Sequence, residues 1–169
     1  MLFLIRMYFF YFVIYSFLGW VIEGLFNWAT KGHFKKPNFL FIPLKPMYGF
    51  AATLLVAVYP LVTLPLFIVL TLVIPLAVEY ASGWLLDHYY GLHFWDYSSQ
   101  RYNIDGYICL QFAIYWVILS FFILYTLHPL VEYVHFLISP WWRYLSWVVL
   151  AYLLWDFFTS SAIYRKQFH

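Results

Sequence analysis

The stretch "PLFIVLTLVIPLAVEYASGWLL", residues 65–86, decides the fold: it is apolar from end to end except for one carboxylate, Glu79. A helix needs about 20 mostly apolar residues to cross the hydrocarbon layer of a bilayer, and this run supplies them. The chain around it is of the same kind. Hydrophobic residues make up 66% of its 169 positions and charged residues 9%, against roughly 45–50% and 25% in soluble domains. So few charges cannot build a water-facing surface, so the reading is a single all-α domain, residues 1–169, whose main solvent is lipid.

Working outward from 65–86, four further stretches read as spans, roughly 7–28, 47–63, 107–127 and 142–164, giving a polytopic bundle of about five transmembrane helices. Pro60 and Pro65 place a tight hairpin between the second and third. The first twenty residues are too long, too aromatic and too poor in small residues at their end for a cleaved leader, so they read as a retained helix. Residues 129–140, between Pro129 and Pro140 and carrying Glu132 and His135, read as a short interfacial helix. Basic residues then orient the bundle. Lys31, Lys35, Lys36, Lys45, Arg101, Arg165 and Lys166 fall on one side, with only Arg6 and Arg143 on the other. The first loop (29–46), the third loop (87–106) and the C-terminus are therefore expected in the cytoplasm, with the N-terminus outside, in the cell membrane.

Three acids sit within predicted spans: Glu23, Glu79 and Asp156. Counting helical rise, all three lie roughly 7–13 Å inside the cytoplasmic end of their helices, so they can converge. Small and polar residues share their faces: Ser16, Gly19, Glu23 and Asn27 on the first helix, and Glu79, Gly83 and Asp87 on the third. An unpaired carboxylate in hydrocarbon costs several kcal/mol, so each needs a partner, a hydrogen bond or a proton. No basic side chain shares their depth, and Lys45, between Pro43 and Pro46, is the nearest candidate. Against this stands the plain alternative that the acids tie helices together. The stretch "EYASGWLLDHYYGLHFWDYS" (79–98) continues past the span into a turn-rich loop, expected to fold back over the acids as a lid with Asp96 and Ser98 making turn bonds.

Other chemistry is not supported. A net charge of +2 gives no nucleic-acid footprint, and the one cysteine, Cys109, makes no internal disulfide. His88 and His93, five apart beside Asp87 and Asp96, lack the spacing of a helical zinc pair, so no metal is expected. The sequence holds neither a G-x-S-x-G elbow nor a G-x-x-x-x-G-K-[ST] phosphate loop, and no cofactor is implied. Most of the 27% aromatic content reads as packing and as an interfacial belt.

Five motifs, "YSFLGWVIE" (15–23), "KGHFKKPNFLFIPLKPMYGF" (31–50), "EYASGWLLD" (79–87), "FWDYS" (94–98) and "NIDGYICL" (103–110), together resemble the ABC-transporter type IV, or CmpB-like, family of small bacterial integral membrane proteins. The resemblance covers nearly the whole chain in order. It singles out Gly19, Trp20, Glu23, Pro43, Pro46, Tyr48, Gly49, Glu79, Tyr80, Gly83, Asp87, Trp95, Asp96, Tyr97, Ser98, Asn103 and Gly106, and Asp156 also looks like the family. The chain departs from the pattern at Ile42, where the family favours glycine, at Tyr107, where it favours arginine, and at "KKPNF", where it favours arginine followed by glycine. The resemblance implies a transport-related, permease-like subunit with an acidic site opening to the cytoplasm, partnered by the bilayer and by a separate ATPase or other membrane subunit, since this chain has no ATP-binding motif. Two other classes fit the same residues: an enzyme acting on a lipid or isoprenoid, with two of Glu23, Glu79, Asp87 and Asp96 as acid and base, and a non-catalytic scaffold or assembly factor. The balance is against an enzyme.

Overall fold

The computed structural model describes residues 1–168. Helix α1 (Leu2–Lys31) ends where Gly32 turns left-handed, at φ 77°, and returns its N–H to the Trp28 carbonyl. An irregular segment leads to α2 (Pro46–Val58), which opens on a proline, where a missing N–H costs nothing. A short 3₁₀ turn (Tyr59–Leu61) joins it to α3 (Leu64–Tyr90), closed by Gly91 at φ 61°. Next comes a loop holding a two-residue ladder, β1 (Asn103–Ile104) and β2 (Ile108–Cys109), antiparallel with Ile104 opposite Ile108. Asp105 and Gly106 turn that ladder with φ of 52° and 73°, the pair of positive angles that an Asp-Gly hairpin turn uses. Helix α4 (Leu110–Phe122) continues through a π turn (Ile123–Leu127) into α5 (His128–Phe168).

Three of these helical runs are long and apolar enough to cross a membrane: Leu2–Lys31, Leu64–Tyr90 and the 58 residues of Leu110–Gln167. The last cannot be one straight rod. Its Trp116 donates to Glu79, and its Ser161 hydroxyl meets that of Tyr90. These two points lie about 16 Å apart along α3 but would be about 68 Å apart along a straight helix. The path therefore doubles back. Trp142, which donates to the Arg6 carbonyl at 2.8 Å, lies near the middle of the run, beside Pro140 and its missing donor. Residues 129–140 are helical, as expected, and run on into the rest of α5, with Val131 and His135 buried.

The bundle wears its apolar side outward. Phe136, Trp141, Val148 and Phe158 are exposed, whereas Ser16, Asn27, Thr71, Ser120, Asp156 and Ser160 are buried. In water this arrangement would be costly; in lipid it keeps these polar groups away from the hydrocarbon. Helix α1 packs chiefly on α2 and on α5. Phe10, Tyr11 and Tyr15 pack with Ala52 and Leu55 of α2, Phe67 of α3, and Leu124, Val131 and Trp142 beyond the loop. Helices α1 and α2 touch nearly backbone to backbone at Gly49, where a Cβ would stand 2.1 Å from Ser16 Oγ and 2.6 Å from the Phe12 carbonyl.

Candidate functional site

The segment between α1 and α2 shapes the site. Lys45 donates its backbone N–H to the Ser16 carbonyl at 2.9 Å, and Ser16 lies about 22 Å down α1 from its C-terminal end, so the chain leaves α1, runs back alongside it and starts α2 at mid-bundle. Irregular backbone at that depth must have its polar groups satisfied by protein. Asn38 supplies donors, its Nδ2 lying 3.0, 3.0 and 2.9 Å from the carbonyls of Leu40, Ile42 and Leu44. Asp156 supplies acceptors, its two oxygens taking the N–H groups of Phe41 and Ile42 at 3.1 and 3.2 Å. This fully buried carboxylate is thus occupied by the re-entering backbone and makes no contact with another acid.

The segment delivers two cations to Glu23. Lys36 Nζ and Lys45 Nζ stand 2.8 and 3.0 Å from Oε2. Lys45 is buried with its partner and also donates to the Pro37 carbonyl. Glu23 is therefore outnumbered by positive charge. Asn27, one turn on along α1, holds the start of the segment by donating to the His33 carbonyl at 2.8 Å.

Glu79 has a different environment. Trp116 Nε1 donates to Oε2 at 2.8 Å and the Tyr97 hydroxyl donates to Oε1 at 3.2 Å, so both of its hydrogen-bond partners are neutral. Tyr48 packs beside the residues that flank the two acids, its ring 4.9 Å from that of Trp116, which binds Glu79, and against Gly19, one turn before Glu23 on α1. Gly19 makes room for it: a Cβ there would fall 2.3 Å from Tyr48 Cγ. Trp20, on the neighbouring face, packs edge-on against Phe34.

The loop after α3 is held by turns of its own. Asp96 Oδ1 accepts the N–H and the hydroxyl of Ser98 at 2.8 and 2.6 Å, and those bonds hold its carboxyl below the usual carboxylate range. Asn103 donates to the Gln100 carbonyl and accepts the Gly106 N–H, while Tyr97 N–H donates to the Gly106 carbonyl. Gly106 has no space for a side chain, since a Cβ would meet Ser98 Oγ at 2.6 Å. From this knot Tyr97 reaches down to Glu79, its ring stacked on Phe112 at 4.5 Å. Asp96 itself stays exposed and does not join Glu79 or Asp87. Asp87 meets His93 Nε2 at 3.2 Å and the Tyr107 hydroxyl at 2.5 Å, and Trp95 donates to the Tyr107 carbonyl at 2.9 Å. Tyr107, standing where the resemblance favours arginine, gives Asp87 a neutral donor in place of a charge. Gly83 lets Tyr107 and Trp95 approach α3 closely, and Tyr80 donates to Asp105 at 2.8 Å.

The predicted acids thus divide. Glu23 and Glu79 share one neighbourhood through Tyr48, while Asp87 and Asp156 have partners of their own. Sequence reasoning missed Lys36, Asn38 and Trp116. Asn38 had a signal, an amide in a proline-flanked apolar stretch; Trp116 had none, being one aromatic among many. Among the described residues no three His, Cys, Asp or Glu side chains gather as metal ligands would.

Apolar helices turned outward, buried charges turned inward and a re-entering segment held by side chains define a polytopic helical protein suited to a bilayer. The chain belongs to the family described as "Putative ABC-transporter type IV", whose pattern it matches over residues 10–161. No curated protein and no solved structure matches it.

Proposed function

We propose that this chain is a transport-related, permease-like membrane subunit whose working site is the Glu23–Tyr48–Glu79 group. One observation carries the reading: two neighbouring buried carboxylates are treated oppositely, Glu23 held by two lysines and Glu79 hydrogen-bonded only by neutral donors. A pair that merely tied helices together would have no use for that asymmetry. With Glu23 fixed as an ion pair, Glu79 is the carboxyl free to exchange a proton or meet an incoming cation. Tyr97, the one loop side chain on Glu79, is the gate between it and the cytoplasm. Energy would come from a separate ATPase or from an ion gradient.

The same reading counts five spans by taking the 58-residue run as an outgoing and a returning helix, and it places the lysine-rich segment, the Asp-Gly hairpin and the C-terminus in the cytoplasm. Reporter fusions at each loop test that topology. For the site, Glu79→Gln keeps the size and the Trp116 bond while removing the ionisable group. Transport in vesicles carrying the chain with its partner subunits should be lost in this variant while membrane insertion and melting stay normal. Full transport by Glu79→Gln would refute the assignment.

A further inference from the structure

Residues 29–46 carry Lys31, Lys35, Lys36 and Lys45 and no acid. Among the described residues only Glu23 pairs with any of them, and it takes two on a single oxygen, Oε2. Two ammonium groups sharing one carboxylate oxygen repel each other, and the trio keeps a net positive charge because Glu79, the other acid of the site, makes no ion pair. Lys45 is closed off, being buried and donating also to the Pro37 carbonyl. Lys36 is open. Its side chain is 27% exposed, and Glu23 is its one partner, so two of its three ammonium donors meet no protein acceptor among the described residues. What lies beside it is apolar. Phe34, two residues earlier, folds back onto α1 at Gly24, the neighbour of Glu23, where a Cβ would fall 2.3 Å from the Phe34 Cζ. The Phe34 ring meets Trp20 edge-on at 5.1 Å, and Trp20 stacks on Phe17 at 6.1 Å. Phe17, Trp20 and Gly24 follow i, i+3 and i+7, so these rings form one strip along α1, about 10 Å long, with Phe17 and Phe34 on the outer surface.

We propose that Lys36 and this strip bind an anionic phospholipid, its phosphate on the lysine and an acyl chain along Phe34, Trp20 and Phe17. The phosphate brings the negative charge that the Glu23–Lys36–Lys45 trio lacks and takes the donors that Glu23 leaves open. Lys35 is exposed and makes no ion pair among the described residues, so it adds a second cation; Asn27 steadies that part of the chain by donating to the Lys35 carbonyl at 3.3 Å. A soluble anion would satisfy the charge and leave the strip uncovered, and a zwitterionic lipid would cover the strip and bring no net charge. An anionic amphiphile uses both. Seated there, it braces the re-entering segment against α1. The lipid site goes beyond the Glu79 reading and does not depend on it.

The test is native mass spectrometry of the purified full chain in mild detergent, titrated with dioleoyl phosphatidylglycerol, with dioleoyl phosphatidylcholine, or with glycerol 3-phosphate, the headgroup without its chains. The native chain should bind one phosphatidylglycerol at least about tenfold more tightly than phosphatidylcholine, since each basic residue near an anionic headgroup contributes roughly fivefold. Lys36→Gln should lower that affinity roughly fivefold, and adding Lys35→Gln should bring it to the phosphatidylcholine value. Lys35→Gln alone, which breaks no ion pair, should weaken phosphatidylglycerol binding as well and guards against a folding defect in the Lys36 variant. Arg101→Gln, in the loop after α3, should leave it unchanged. Equal affinity for the two lipids, or undiminished phosphatidylglycerol binding by the double variant, would overturn the site. An equal loss in Arg101→Gln would trace the binding to general surface charge and overturn it too. Glycerol 3-phosphate binding as tightly as the phospholipid would overturn the lipid and leave a soluble phosphate site in its place.

Discussion

Replacing Asp156 with Asn should release the re-entering segment. The native carboxylate accepts two backbone N–H groups, from Phe41 and Ile42, and has no exposed surface. Hydrogen bonds to a charged group contribute about 1.5–3 kcal/mol each, and neutral ones about 0.5–1.5 kcal/mol. An asparagine can accept at one oxygen only, so one charged bond becomes neutral while the other is replaced by an amide NH₂ facing an amide N–H. The expected loss is roughly 3 kcal/mol. For a chain of this size that lowers the melting midpoint by roughly 6–12 °C in mild detergent. The signature is local as well as global: amide exchange at Phe41 and Ile42 should rise far more than exchange in α3. An Asp156→Asn protein with an unchanged midpoint and unchanged protection at those two amides would refute the claim that this acid holds the segment in place.

Gly49→Ala should weaken the α1–α2 contact by at least about 1–3 kcal/mol, the usual cost of overpacking, because the new methyl group meets the Phe12 carbonyl as well as the movable Ser16 hydroxyl; a variant that melts like the native chain would show that the helices can separate freely. Lys45→Met should destabilise by about 3–5 kcal/mol by leaving Glu23 buried with one cation, whereas Lys36→Met, at the more exposed partner, should cost about 1 kcal/mol or less. Adding Glu23→Gln to Lys45→Met should recover part of the loss, and strict additivity of the two melting shifts would argue against the pair. Asp96 has its carboxyl pulled below the ordinary aspartate range by Ser98, so its contribution to loop order is full above that range and is lost as pH falls through the lowered value. Amide exchange over residues 97–106, corrected for intrinsic rates, should therefore rise under acid conditions in the native chain and change little in Asp96→Asn.

Some of the site was legible before any coordinates. Depth along a helix is simple counting, and it put Glu23 and Glu79 at comparable levels. The prolines on either side of Lys45 marked it as a residue held in place, and turn bonds were expected at Asp96 and Ser98. Azimuth was less accessible. Counting residues says how deep Asp156 lies but not which neighbour its face meets, and the carboxylate turned out to serve the backbone at Phe41 and Ile42. Lys36 was hidden because a loop residue in the sequence has no depth until the loop's path is known. In the loop after α3 it is likewise Tyr97, not the acid beside it, that reaches Glu79.

By itself the sequence determined the solvent and the class of fold, since 66% apolar residues with 9% charged leave no soluble alternative, and the order of its motifs determined the family. Those properties are sums and orders along the chain. Only the tertiary structure decided that Glu23 would take two lysines and Glu79 none, that the first loop would re-enter the bundle, and that Asp156 would hold it there. These are relations between residues as many as 115 positions apart. They depend on how each helix is rotated about its axis and on where a loop turns, which packing fixes and helical periodicity alone does not.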